Sequence, residues 1–231
     1  MYGSLLFDEI FLPPKLVSLN LSYNYYLLLD NIKFQMLVHN LTELRFLILD
    51  SVNMSLVVPS SLLNLTSSLE HLSLRYCNLQ RNFPSQVFQL TKLVSLDLSD
   101  NYDLLLDNIK FQMLVHNLTE LIILDSVNMS LVVPSSLLNL TSSLEHLSLS
   151  SCNLQGNFPS QVFQLKKLVS LNLSYNYDLL LDNIKFQMLV HSLTELRFLI
   201  LDSVNMSLVV PSSLLNLTSS LEHLSLSNCN L

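Results

Sequence analysis

The chain has 231 residues, half of them hydrophobic and only 13% charged, with a formal net charge of −7 at neutral pH. Nucleic acid and anionic lipid both demand a cationic face, so this balance argues against either as a partner. Only two glycines are present, Gly3 and Gly156, and no apolar run nears the ~18 residues of a bilayer-spanning helix; glycine-rich phosphate loops and membrane spans are excluded.

Residues 1–15 read as an irregular N-terminal segment. Met1–Leu12 lacks a basic stretch, and Asp8 and Glu9 interrupt its apolar residues, so no signal peptide is expected. From Leu16 the pattern LxxLxLxxN opens as LVSLNLSYN. Related openings follow at Leu44, Leu69, Leu93, near Leu121, and at Leu144, Leu168, Leu196 and Leu221. Each LxL predicts a short strand with leucines inward and polar residues outward. A unit of about 25 residues cannot bury its leucines alone, so neighbours must stack. Residues 16–231 are therefore expected to form a leucine-rich-repeat solenoid of α/β type, with eight full repeats and a partial ninth. One parallel β-sheet would line the concave face of a curved right-handed superhelix, with short α or 3₁₀ segments on the convex face.

Between the strands the chain copies itself as a triplicated unit of about 77 residues. LLLDNIKFQMLVH stands at 27–39, 104–116 and 179–191, and VNMSLVVPSSLLNLTSSLEHLSL at 52–74, 127–149 and 204–226. Phe34, Leu37, Val38 and Leu41 have the spacing of a short convex helix. Ser60-Ser61 before Leu62-Leu63, and Ser85 before Val87-Phe88, read as capped single turns after a proline. LTELRFLILDS (41–51) shortens to LTELIILDS (118–126) in the middle copy. Because the side-chain period of a strand is two, Ile122 and Leu124 should take the inward places of Leu47 and Leu49, with Ile123 outward. Arg81 stands where the other copy has Gly156, in a turn where positive φ would favour glycine.

CNLQGNFPSQVFQL (152–165) resembles the plant extracellular repeat LxxLxLxxNxLxGxIPxxLxxLxxL. NLTELRFLILDSVNMSLVVPSSLLNLTSSLEHLSL (40–74) is similar to the ectodomain repeats of plant receptor-like proteins, the group that includes the tomato fungal-resistance receptors. The resemblance covers residues 15–231. It implies a non-catalytic ligand-binding module from the extracellular side of the plasma membrane, serving defence or developmental signal perception. A protein or peptide would be the ligand and a receptor kinase a possible co-receptor. The family's signal peptide, cysteine-paired cap and transmembrane helix are not legible here, nor is any kinase motif, so the expected status is a fragment of such an ectodomain. A secreted inhibitor of a pathogen enzyme, of the polygalacturonase-inhibiting type, and a non-functional duplication product remain alternatives.

Cys77, Cys152 and Cys229 each occupy the asparagine place of LxxLxLxxN, three repeats apart. At a strand spacing of about 4.8 Å their separation is about 14 Å, beyond the ~7 Å of a disulfide, so buried structural thiols are expected. His39, His116 and His191 are one copied position, and His71, His146 and His223 another. The same spacing keeps the copies from sharing a metal, and they read as solvated strand residues. No serine is placed beside a base, so no catalytic residue, cofactor or metal ligand is assigned. N-glycosylation sequons fall at Asn20, Asn40, Asn53, Asn64, Asn117, Asn128, Asn139, Asn172, Asn205 and Asn216, and glycans would solubilise a surface poor in charge. A ligand is expected on the concave sheet, at Tyr23, Arg45, Phe46, Ile48, His71 and Tyr76 and at the copies Tyr175, Arg197, Phe198 and Ile200. Aromatic and arginine anchors dominate interfaces.

Overall fold

The LxL alternation produces a row of three-residue strands: β1 (Ser18–Asn20), β2 (Phe46–Ile48), β3 (His71–Ser73), β4 (Ser95–Asp97), β5 (Leu121–Ile123), β6 (His146–Ser148), β7 (Ser170–Asn172), β8 (Phe198–Ile200) and β9 (His223–Ser225). They form, in chain order, one nine-stranded parallel sheet in a computed structural model that describes residues 12–82, 90–115 and 118–231. The register is uniform. Ser18, Phe46, His71, Ser95, Leu121, His146, Ser170, Phe198 and His223 are successive Cα partners. The middle residue of each strand from β1 to β8 is buried, as is the second leucine of LxL from Leu49 to Leu201. The core is thus a stack of leucine layers, each closed by its neighbours.

The outer wall begins after each triplicated LLLD. Helices α1 (Asn31–Val38), α2 (Asn108–Val115) and α3 (Asn183–Ser192) follow an aspartate whose side chain accepts from a backbone N–H in the first turn: Asp30 from Lys33, Asp107 from Lys110 and Asp182 from Lys185, each at 2.9 Å. Phe34, Leu37 and Val38 are buried, as the spacing predicts, while Leu41 packs inward beyond the helix end.

The proline turns are 3₁₀ helices at Pro59–Asn64, Pro134–Asn139, Ser160–Gln164 and Pro211–Asn216. The capping role expected of Ser60-Ser61 is corrected. Pro59 itself opens the helix with no side-chain cap, and Ser61 is a buried member whose Oγ donates to Asn31 Oδ1 at 2.9 Å. Asn31 Oδ1 also accepts from Val58 N, and Asn108 and Asn183 repeat both bonds in the other copies. One asparagine per unit therefore pins each α-helix to the 3₁₀ turn of the next repeat. The Ser85 turn lies outside the described residues.

Short parallel ladders flank the helices, a feature the sequence reading did not foresee. Leu28–Asp30 pairs with Asn53–Leu56, Leu104–Asp107 lies between Arg81–Asn82 and Asn128–Leu131, and Gly156–Asn157 pairs with Leu179–Leu180. Leu104 and Leu106 are buried while Leu105 and Asp107 are only half-buried, so LLLD carries period-two alternation in plain view. Arg81 holds the ladder place of Gly156, each pairing with the first leucine of its partner strand. Gly156 has φ +87°, and open space surrounds the position a Cβ would take, so any substitution there strains the backbone alone. The Arg81 side chain lies outside the described residues.

The two-residue deletion resolves as the alternation requires. Ile122 and Leu124 are fully buried, and Leu121 and Ile123 face outward, half-buried. Leu118 is drawn into the core at 1% exposure, whereas the second repeat buries both Leu41 and Leu44 there.

Candidate concave recognition face

Outward residues of the nine strands form rows that run across the repeats. In the row just before the strands, Arg45 lies beside Glu70 and forms a two-pronged pair, Nε to Oε1 at 2.8 Å and a second amino group to Oε2. Arg197 and Glu222 repeat it with both contacts at 2.8 Å. The hydrogen bond from arginine holds Glu70 and Glu222 below the usual carboxylate range and raises both guanidinium values. The Arg45 guanidinium also lies over the Phe46 ring at 5.7 Å, and Phe46 stacks on His71 at 4.5 Å with the planes 6° apart. Arg197 over Phe198 matches at 5.7 Å, while Phe198 and His223 are tilted at 6.4 Å.

The structure thus gathers Arg45, Phe46 and His71 on β2–β3, with half-buried Ile48 two residues on. It gathers Arg197, Phe198 and Ile200 on β8, four strands beyond β4, so the expected residues make two separate clusters. Tyr23, Tyr76 and Tyr175 stand on the rim after β1, β3 and β7, with 66%, 50% and 47% exposure and φ of 62°, 53° and 59°. The same turn place holds positive φ in every repeat, at Ser51, Asp100, Ser126, Ser151, Ser203 and Asn228 in the others. This left-handed turn projects the tyrosines from a strained backbone.

Behind that rim a second row links repeats. Asp50 Oδ1 accepts from Ser73 Oγ and from Arg75 N, and Asp125 and Asp202 do the same with Ser148 and Ser150, and Ser225 and Ser227. Asp97 lies outside that row, as the last residue of β4 in register with Ile123, and accepts from Ser99 N and Oγ. Burial raises the Asp97 and Asp125 carboxyls above their ordinary value, against the lowering effect of those hydrogen bonds. Sequence reasoning missed this row, although the recurrent LDS and LSL tripeptides were its signal.

Beneath the turn, Asn101 Nδ2 donates to Leu74 O and Leu98 O at 2.8 Å, and its Oδ1 accepts from Cys77 N and Leu79 N. Asn176 copies this arrangement. Cys77, Cys152 and Cys229 fill the asparagine place as expected, buried and free, with thiols donating to Leu49 O, Leu124 O and Leu201 O. Burial pushes the Cys77 thiol up to about 12, and pushes those of Cys152 and Cys229 up as well. Val52, Val127 and Val204 complete the row, so the second, fifth and eighth repeats depart from the LxxLxLxxN pattern.

His71 and His146 are half-buried strand residues and His223 is an exposed one, but His39 and His191 stand at the ends of α1 and α3, where His191 Nδ1 lies 2.6 Å from Gln187 O. His116 and the Asn117 sequon lie outside the described residues, as does the Asn139 side chain. Asn40, Asn64 and Asn216 are exposed on the convex side, and Asn53, Asn128 and Asn205 lie on or beside the flanking ladders. Asn20 and Asn172 are on concave strands. Among the described residues no helix is long and apolar enough to cross a membrane.

No protein-family model matches the chain. It is 40% identical to the receptor-like protein Cf-9 of Solanum pimpinellifolium over 139 residues, 59% of this chain and 15% of that protein. Receptor-like protein 6 of Arabidopsis thaliana is 33% identical over 119 residues, 48% of this chain and 12% of that protein. The chain therefore spans about one-seventh of the length of the curated relatives it matches. Among solved structures, a leucine-rich-repeat protein of Leptospira interrogans superposes with TM-score 0.69 at 27% identity, covering 92% of this chain and 55% of that one. The plant peptide hormone receptor RGFR1, solved in complex with RGF2, gives 0.61 at 25% identity, covering 83% and 29%. In fold and in repeat sequence, the chain is a leucine-rich-repeat solenoid similar to the Cf-9-type receptor-like proteins of plants.

Proposed function

We propose that the chain is a non-catalytic recognition module, part of a plant cell-surface receptor-like protein that perceives defence or developmental signals on the extracellular side of the plasma membrane. One observation carries the reading. The inner face of the sheet is already filled by leucines, yet Phe46, Ile48, Phe198 and Ile200 point the other way, beside arginines that lie over the two phenyl rings. Outward aromatic and arginine side chains with no role in the core are what a protein or peptide ligand engages. Concave residues Tyr23, Tyr76 and Tyr175 extend the same face along its rim. The sequons outside the concave strands serve as glycan sites on the convex and flanking surfaces, and a receptor kinase is the co-receptor.

The test is selection of a random twelve-residue peptide library on the purified chain. Enriched peptides should lose binding to a variant carrying Phe46→Asp and Phe198→Asp, and keep it with Met36→Glu on the convex helix. Peptides insensitive to the concave pair would overturn the reading.

A further inference from the structure

The first and last strands of the sheet each pair on one side only, β1 with β2 and β9 with β8. Solenoids close such ends with polar capping repeats, but here both keep interior sequence. KLVSLNLSYNY at 15–25, around β1, is identical to 167–177 around β7, and LEHLSLS at 221–227, around β9, is identical to 144–150 around β6. CNL at 229–231 likewise matches 152–154, and Asn228, the one difference, shares a φ of 56° with Ser151. The chain also enters β1 and β7 by the same turn: Leu16 N donates to Pro13 O at 2.9 Å, and Leu168 N to Leu165 O at 3.0 Å. Within the chain β6 pairs with β7, His146 with Ser170, Leu147 with Leu171 and Ser148 with Asn172. The free side of β9 is therefore the side that β6 turns to β7, and the free side of β1 is the side that β7 turns to β6.

Unfinished bonds mark both surfaces. Among the described residues one buried side-chain polar atom has no hydrogen-bond partner, Ser22 Oγ, and a buried hydroxyl left unpaired is costly. Its copy, Ser174 Oγ, lies 2.9 Å from Ser150 Oγ across the β6–β7 junction and donates to Asn172 Oδ1 at 2.7 Å. The copy of Ser150 is Ser227, exposed after β9. Asn24 is in a similar state. Its Nδ2 donates to Leu21 O at 2.7 Å, as Asn176 donates to Leu173 O. Asn176 also donates to Leu149 O and accepts from Cys152 N and Leu154 N; the copies of those three residues are Leu226, Cys229 and Leu231, at the other end of the sheet. Accordingly Asn176 is buried and Asn24 exposed. The leucines follow the same rule. Leu168 and Leu173 are fully buried where Leu16 and Leu21 are half-buried, and Leu144, Leu147 and Leu149 are buried where Leu221, Leu224 and Leu226 are not.

We propose that a chain of these 231 residues associates head to tail with a second copy of itself, β9 of one copy pairing in parallel with β1 of the next in the β6–β7 register. His223, Leu224 and Ser225 then lie opposite Ser18, Leu19 and Asn20, Ser227 Oγ meets Ser22 Oγ, and Asn24 accepts from the N–H groups of Cys229 and Leu231. The joint is heterologous, so every assembly keeps one free β1 and one free β9, and growth continues along the solenoid axis as concentration rises. It uses the ends of the sheet and none of Arg45, Phe46, Arg197 and Phe198, so it stands or falls apart from ligand recognition on the concave face.

The test uses Ser22→Cys and Ser227→Cys, made as two separate chains and mixed in oxidised glutathione. The hydroxyls of the interior copies are 2.9 Å apart, a spacing that a disulfide can bridge. The mixture should form a disulfide-linked dimer about tenfold faster or more than either chain alone, because a head-to-tail joint never brings two like ends together. The native cysteines are buried, and the unsubstituted chain reports any linkage through them. In sedimentation the unsubstituted chain should gain mass with concentration, beyond two copies. Asn24→Lys changes an exposed residue of the free chain but sets an unpaired charge inside the joint. It should lower association, and cross-linking when added to the Ser22→Cys chain, by about tenfold or more, while the dilute chain keeps its circular dichroism. A chain that stays monomeric, like ends that cross-link as fast as the mixture, or association indifferent to Asn24→Lys overturns the proposal.

Discussion

Asp97 and Asn172 are the same residue position in two copies of one repeat, and both accept from the backbone N–H and hydroxyl of the serine two residues on. The amide does this without an ionised group at a site where burial raises the Asp97 carboxyl. A carboxyl raised on folding contributes stability that is complete below its ordinary value near 3.8 and lost as pH climbs through the raised one. Asp97→Asn should therefore raise the melting temperature at pH 7, leave it nearly unchanged at pH 3, and flatten the profile between. Melting followed by circular dichroism across that range checks it; an equal shift at both pH values would mean that the carboxylate charge is irrelevant. The cysteines supply a second residue-scale prediction. Thiols held by burial and donating to backbone carbonyls should resist alkylation by iodoacetamide at pH 8 in the native chain, and all three should react after unfolding in guanidinium. Rapid native labelling of Cys77 or Cys152 would contradict their placement in the asparagine row.

At the scale of the repeat, the deletion in the fifth unit leaves one fewer buried leucine than its copies have: Leu118 alone where Leu41 and Leu44, or Leu193 and Leu196, fill the second and eighth. A lost leucine in a packed layer costs roughly 2–3 kcal/mol, and in a solenoid that loss stays with the repeat and its neighbours. Amide exchange should be faster in β5 than in β2 and β8. Inserting Arg-Phe between Leu121 and Ile122 should restore protection and add about 2 kcal/mol to the stability against urea; equal protection of the three strands would refute the weakness. This element also shows what the sequence makes legible. The inward places of Ile122 and Leu124 follow from period-two alternation, because two residues can leave without turning a strand over. Glu120 opposite Glu145 follows from the same shift, but only when both repeats are read together. The flanking ladders and the asparagine pins from α1–α3 to the 3₁₀ turns were not foreseen, because they join residues 23–30 apart whose pairing depends on how far each repeat advances.

Over the whole molecule, stability is close to a sum of repeats and of the interfaces between them, so identical sequences should differ in burial only where their neighbours differ. Leu69, Leu72 and Leu74, and their copies Leu144, Leu147 and Leu149, are buried between two repeats; Leu221, Leu224 and Leu226, the same residues in the ninth, are only half-buried. The side of β9 that faces away from β8 is the side on which β6 pairs with β7, and it keeps the same LEHLSLS sequence. Appending a copy of residues 155–177 after Leu231 should therefore extend the sheet by one strand in the β6–β7 register, with Cys229 N–H donating to the new asparagine as Cys152 donates to Asn176. Burying the remaining surface of three leucines should add about 2–4 kcal/mol, raise the melting temperature and reduce binding of an apolar dye such as anilinonaphthalene sulfonate. An appended repeat that melts separately, or leaves dye binding unchanged, would mean that the nearest-neighbour interface is not the unit of stability in this chain.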